Sequence, residues 1–434
     1  MRGYSFEAIF SILISSVFVG SYTVNSMLSS YIGKHIEAWK DTFYRLKNNP
    51  SISWRMVLWL FASKFRKTTD EHCEKTDGVK CIIFDDTILK KSGRCIEKVS
   101  RVWDHVSERF VLGFKMLLMG YWDGTSIIPV DFSLHREKGK NKEKPFGLKK
   151  RELKKQYRKR RESGTPSHER SKEADTGKIE SALKMFSRAI TQGFKVDYVL
   201  MDSWFTCEAF IDAVLKVKHQ VIHLIGMYKT AKTKFEYMSG FYTYSQIRNL
   251  PGKAKRCRKL GLYYNEAIVG LKGKQVKLFF SKQGKNGKWK VFLTTDTSIS
   301  FIKMIEIYQI RWSIEVLFKE AKQLLRLGNC QSNDFDGQIA DTTITLIQHI
   351  LLTLRYRFDH YESMGALFSG VKEGLISYRL NERLWGLFIE LLKLIETVFI
   401  EIDEEQLLER IIHNDKVYEK LVIILDPLNN KIAA

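Results

Sequence analysis

Residues 79–93 read VKCIIFDDTILKKSG, and the fold turns on how this stretch is read. A short apolar run, rich in isoleucine and phenylalanine, ends abruptly at two acids, Asp85 and Asp86. It is too short for an ordinary helix and reads as a buried strand. A second stretch repeats the design. In YVLMDSWFTCEAFIDAVLKV, residues 198–217, the run Val196 to Met201 predicts a buried strand and Asp202 follows it. A helix is predicted from Phe205 to Val217. Carboxylates at strand ends of an α/β sheet lie where ligands and catalysis concentrate. Asp202 alone would also suit an ordinary helix N-cap.

Between the two stretches, RFVLGFKMLLMGYWDGTSIIPVDFSLH reads as two more strands of the same sheet. Turns are expected at Asp123-Gly124 and near Pro129. Residues 137–175 are intensely basic. Positions 138–161 hold thirteen Lys/Arg against two Asp/Glu. Such a run is a loop or a solvated helix. Its like charges repel unless a polyanion neutralises them, so it reads as a clamp on phosphate backbone. Lys149, Lys150, Arg151, Arg158, Arg160 and Arg161 are the candidate contacts. Lys178 to about Gln192 is helical. Residues 220–300 alternate apolar and polar positions between Gly-rich turns, KGK and GKNGK among them, and predict an antiparallel β insertion.

A third acid stands in YQIRWSIEVLFKEAKQLLRLG, residues 308–328, read as one helix. At about 100° per residue, Tyr308, Arg311, Glu315 and Lys322 fall in an arc of roughly 60°, with Lys319 close by. Ile310, Ile314, Leu317, Phe318, Ala321, Leu324 and Leu325 form the neighbouring apolar stripe. A solvated face with a Glu315–Lys319 pair would give a similar wheel. The remainder of the chain decides between the two. Three acids suit hard cations such as Mg²⁺, which take oxygen ligands. Arg311 and Lys322 suit phosphate, and Tyr308 a phosphate or a base.

The net charge of +22 over 434 residues points to a polyanion partner, and nucleic acid is the commonest. The charge is uneven, with six Lys/Arg against eleven Asp/Glu in residues 381–434. Six scattered cysteines form no C-x-x-C pair and no zinc spacing, which suits a reducing cytoplasm. FEAIFSILISSVFVG, residues 6–20, is read as a buried helix rather than a targeting segment, and no membrane role is expected.

Taken together, these residues resemble the DDE transposases of bacterial insertion sequences, in the group with a YREK signature. Tyr308, Arg311, Glu315 and Lys322 match its gaps of two, three and six residues. FDDTILKKSG matches the first acid's strand-end D-T context, which favours Asp86 over Asp85. YVLMDSWF matches the second. The β-rich segment before the glutamate is also shared. The likeness covers roughly residues 80–330.

The resemblance implies an α/β, ribonuclease-H-like mixed sheet with an antiparallel β insertion and helical ends. The expected regions are a helical DNA-binding segment (1–75), a first catalytic part (76–219), the insertion (220–300), the helix of the third acid with its successors (301–380), and an acidic helical region (381–434) suited to dimerisation. It implies metal ligation and catalysis by Asp86, Asp202 and Glu315 with Mg²⁺, for which Mn²⁺ substitutes. DNA contacts would come from Tyr308, Arg311, Lys319, Lys322 and the basic segment. The partners would be double-stranded DNA, at element ends and target site, and a second copy of the chain. The alternatives are a host nuclease or a DNA-binding protein that no longer catalyses.

Overall fold

The structure is a computed structural model. It describes all residues except 1–3, 19, 21–22, 30–35, 37, 73–77, 230–232, 251, 253, 285, 360 and 377–434. The expected acidic region 381–434 therefore lies outside the described residues.

The strands are β1 (Cys81–Lys90), β2 (Ser100–Asp104), β3 (Arg109–Trp122), β4 (Ile127–His135), β5 (Tyr198–Met201), β6 (His223–Met227), β7 (Lys234–Tyr237), β8 (Gly240–Thr243), β9 (Lys255–Cys257), β10 (Leu262–Leu271), β11 (Lys274–Gln283) and β12 (Lys290–Thr294). The helices are α1 (Phe6–Ser15), α2 (Val24–Leu28), α3 (Lys40–Lys47), α4 (Trp54–His72), α5 (Lys150–Lys154), α6 (Pro166–Glu173), α7 (Lys178–Thr191), α8 (Glu208–Leu215), α9 (Tyr244–Asn249), α10 (Phe301–Gln309), α11 (Trp312–Gln323), α12 (Phe335–Phe358) and α13 (Met364–Ile376).

Half of the sheet runs β4-β3-β1-β5-β6. Within it β1, β5 and β6 are parallel and β3 is antiparallel to both its neighbours. This mixed sheet with its helices is consistent with the expected ribonuclease-H-like core. Residues 81–84 and 199–201 are almost wholly buried, as strands covered on both faces require. β1 does not stop at its acids. It runs four residues further, paired with β3 as far as Lys90↔Gly113, so Asp85 and Asp86 lie mid-strand.

The turn at Asp123-Gly124 is present, with the Asp123 carboxylate accepting the Thr125 and Ser126 N–H groups. The turn expected near Pro129 is instead a β-bulge. The register shifts from Met119↔Asp131 to Gly120↔Pro129, which suits a residue with no N–H to give a ladder.

The β insertion continues the same sheet, because β12 pairs antiparallel with β6 and β11, β10 and β7 follow. In the β10–β11 hairpin both Lys272 (φ 50°) and Gly273 (φ 78°) are left-handed, the geometry of a type I′ turn. Tyr244–Asn249, expected as strand, is helix α9. Gln246 and Thr243 form a capping box there, and this local bonding outweighs the alternating pattern.

The N-terminal helices share the main hydrophobic core. Ile9, Phe10, Leu13 and Ile14 on α1 are buried, and Gln348 of α12 donates to the Ile14 carbonyl. No helix among the described residues is long and apolar enough to cross a membrane.

Candidate active site

The alternation of β1 sorts its side chains onto two faces. Phe84 packs on Phe210 of α8, and Asp86 pairs with Lys178 of α7. Asp85 faces the other way and accepts from Arg311 Nη1 at 3.3 Å, and Thr87 accepts from Lys322 Nζ at 2.6 Å. Arg311 and Lys322 both belong to the α11 side of the sheet. The D-T context favours Asp86, and the two acids of β1 lie on opposite faces. Asp85 is the β1 acid that shares a face with Arg311, Glu315 and Lys322, and Asp86 turns away toward Lys178.

Asp202 follows the last residue of β5. The pairing Phe84↔Met201 brings it beside Asp85. Its Oδ1 accepts the N–H groups of Trp204 (2.9 Å) and Phe205 (3.2 Å), and its carbonyl accepts from Thr206 Oγ1 at 2.7 Å. Thr206 reaches this place because Gly226 of β6 has no side chain. A Cβ there would stand 2.0 Å from Thr206 Oγ1.

The stretch 308–328 is two helices rather than one. Tyr308 lies near the end of α10 and Arg311 caps α11. Between them the Ile310, Arg311, Ser313 and Ile314 N–H groups bond three residues back, a tightened turn. Arg311 Nη2 donates to Glu315 Oε1 at 2.5 Å, so one guanidinium joins Asp85 to Glu315. Burial works against its charge, but Tyr308, Glu315 and Asp85 raise its pKa.

Tyr308 is half-buried, edge-on to Phe292, with its hydroxyl donating to the Met201 carbonyl. Burial pushes that hydroxyl up to about 12. Its ring and hydroxyl are engaged in fastening α10 to the end of β5. Lys322 and Lys319 are exposed. Although the Lys322 side chain is largely exposed, partial loss of solvent around its ammonium and the nearby Lys90 hold it below its ordinary range, against the pull of Asp104.

Burial raises the Asp85 carboxyl to about 7. Its neighbours Asp202 and Asp86 add repulsion, while the Asp86 N–H and Arg311 oppose the shift. The donors are all carboxylate oxygens, the chemistry a hard dication takes, and so Asp85, Asp202 and Glu315 fit Mg²⁺ or Mn²⁺. Among the described residues no three acids, histidines or cysteines stand together as a formed cage, and Arg311 holds two of these three.

In the basic segment, Lys149, Lys150, Arg151, Arg158 and Arg160 are exposed. Arg161 is not. Its side chain is 5% exposed and makes two 2.7 Å bonds to Glu97, with Asp334 and Asp336 beside it. Lys159 bonds the same two aspartates. The end of the segment is thus nailed into the fold through the ion pairs of Lys159 and Arg161.

The pairing of Asp86 with Lys178 was not among the expectations from the sequence. Continuing the period-two alternation of β1 through the acids would have separated Asp85 from Asp86. Nothing local marks Lys178, which reaches the site from a different helix.

Residues 23–231 match the model of the DDE superfamily endonucleases, and residues 168–351 match the model of the transposase DDE domain. No curated protein matches the chain. The two matches overlap over residues 168–231, which include β5 and Asp202, and in these stretches the chain is similar to the DDE endonucleases and transposases.

Proposed function

We propose that the protein is a transposase that binds the ends of its own insertion sequence, cleaves them, and joins the freed 3′-hydroxyls to target DNA. The observation that carries this reading is the Asp85–Arg311–Glu315 bridge beside Asp202: two acids from neighbouring parallel strands and one from α11, with a phosphate-binding guanidinium among them. Asp85, Asp202 and Glu315 would hold Mg²⁺, or Mn²⁺ in its place. When bound, the metal supplies a Lewis acid for the phosphate and lowers the pKa of water or of a 3′-hydroxyl.

The chain's own groups have separate tasks. Arg311 gives up its acids to take a phosphate in a two-pronged grip, which its planar fork allows. Lys322, steadied by Thr87, and exposed Lys319 add point charges along the same strand. Lys149, Lys150, Arg151, Arg158 and Arg160 neutralise backbone phosphates farther out. Asp86, neutralised by Lys178, stays out of the metal set. Two copies bridge the two ends of the element. YREK-group membership rests on the gaps in residues 308–322.

The reading is tested in cells with a marker placed between the gene's flanking sequences and the protein supplied from a separate plasmid. Wild type mobilises the marker and Asp202→Ala does not. Equal movement by both would remove Asp202 from the chemistry. No movement by wild type, with end binding intact, would leave a DNA-binding protein.

A further inference from the structure

A cavity of about 180 Å³ lies where the start of α4 meets α6 and α12, with Trp54, Arg55, Arg170 and Ile339 on its walls. No residue of the acid site lines it. Trp54 is 3% exposed and Arg170 is 5% exposed. Both carry N–H groups with no acceptor among the described residues: Nε1 of the indole, and Nε and Nη2 of the guanidinium. Buried donors are costly to leave unpaired, above all charged ones. Three of them, on two side chains that share one cavity, call for a guest that accepts.

The local charge says what kind of guest. Arg170 spends only Nη1, on the Phe132 carbonyl and on Glu173 at 3.2 Å. The Phe132 ring lies 4.6 Å from the guanidinium carbon and covers one face, which leaves the in-plane N–H groups unserved. Asp131 and Glu173 are shared among Arg55, Arg170 and Arg188. Three guanidiniums on two carboxylates leave one positive charge over. Burial, and then Arg55, hold the Arg170 pKa down to about 10. The first residues of α4 form one wall, and the positive end of this 19-residue helix adds to the same field. The acids on the lining are already engaged. Asp336 accepts from Lys159, Arg161 and Ser167, and exposed Glu169 pairs with Lys172 at 3.7 Å.

A small oxyanion meets these conditions, since it carries negative charge and only acceptors toward the donors. We propose that Trp54 and Arg170, at the start of α4, form a binding site for a tetrahedral oxyanion of the phosphate class, which bridges α4 and α6. The site is separate from the acids and does not depend on the DNA-cleaving reading. Free phosphate and a phosphate group of a DNA strand share this chemistry, and the experiment separates them.

The test is calorimetric titration of inorganic phosphate into the full chain, without metal and at constant ionic strength. Wild type binds phosphate saturably. Trp54→Phe removes one donor and keeps a ring in place. It binds roughly ten- to a hundredfold more weakly, the worth of one hydrogen bond to a charged group. Arg170→Lys loses the binding, and Trp54→Phe carries the test should that variant fail to fold. Arg311→Gln binds phosphate as wild type does, which separates this site from the acid site. A blunt DNA duplex that displaces the phosphate identifies a strand phosphate as the occupant, and one that binds alongside it identifies the free anion. No saturable binding by wild type would overturn the proposal and leave a water-filled cavity. Equal affinity in wild type and Trp54→Phe would overturn it too, as would loss of binding in Arg311→Gln.

Discussion

Asp85 and Asp86 are neighbours in sequence with opposite environments, and pH reports on the first of them. Burial is the main reason the Asp85 carboxyl rises to about 7. An unfolded aspartate titrates near 3.9. Between these values the folded chain holds a proton that the unfolded chain has released. The contribution of this group to stability is therefore full below about pH 4, falls as pH rises, and is gone above about pH 7. Metal-free wild type should lose thermal stability from pH 5 to 8 more steeply than Asp85→Asn. Parallel melting curves would contradict the assignment.

Arg311 offers a second test at the same scale. It stands between two acids that a dication would use. Arg311→Gln should raise the affinity of the DNA-free protein for Mn²⁺, read by calorimetry, while lowering its affinity for DNA. Weaker Mn²⁺ binding would mean that Arg311 helps to assemble the acids rather than screening them. The sequence displays all these residues but not their partners. The D-T context pointed to Asp86, and only the pairing of β1 with β3 and β5 shows which acid faces α11.

At the scale of elements, the basic segment contains two kinds of cation that composition counts alike. Arg161→Ala would leave Glu97, Asp334 and Asp336 with a vacated, buried partner position. Loss of one member of a buried ion network costs about 3–5 kcal/mol, to be read by denaturant unfolding. Arg158→Ala and Arg160→Ala should leave stability within about 0.5 kcal/mol. Each should instead lower the slope of log affinity for DNA against log salt by roughly one. A destabilised Arg160 variant or an unchanged salt slope would refute that division. The partners of Arg161 lie on β-turn and helix segments far along the chain, so no local pattern could have reported them.

β6 carries another element-scale constraint. Gly226→Ala would drive a methyl into Thr206 and displace the turn that follows Asp202. Overpacking of this kind costs about 1–3 kcal/mol. Cleavage should fall further than stability alone explains, measured at a temperature where the variant is folded.

At the scale of the molecule, strands, acids and their order were readable because buried parallel strands are short apolar runs, and acids interrupt them abruptly. The continuity of the sheet was not. Residues 220–300 read as an insertion of their own, yet β6 at its start pairs with β5, and β12 returns to β6, which makes the rest an extension of the same sheet. That return pairing is long-range and leaves no periodic trace. The helix quoted as 308–328 was legible in its faces and not in its break, because a tightened turn at Ile310–Arg311 preserves the apolar spacing.

In the proposed function, Asp85, with Asp202 and Glu315, forms the metal-dependent cleavage site. The most direct measurement is nicking of DNA bearing the gene's flanking sequence by purified protein with Mg²⁺, comparing wild type, Asp85→Asn and Asp86→Asn. Loss of a metal ligand should cut the rate by more than roughly a hundredfold, while a supporting carboxylate costs about tenfold to a hundredfold. The deep loss is expected for Asp85→Asn and the lesser one for Asp86→Asn, with DNA binding retained by both. The reverse order, or cleavage by Asp85→Asn at the wild-type rate, would contradict it.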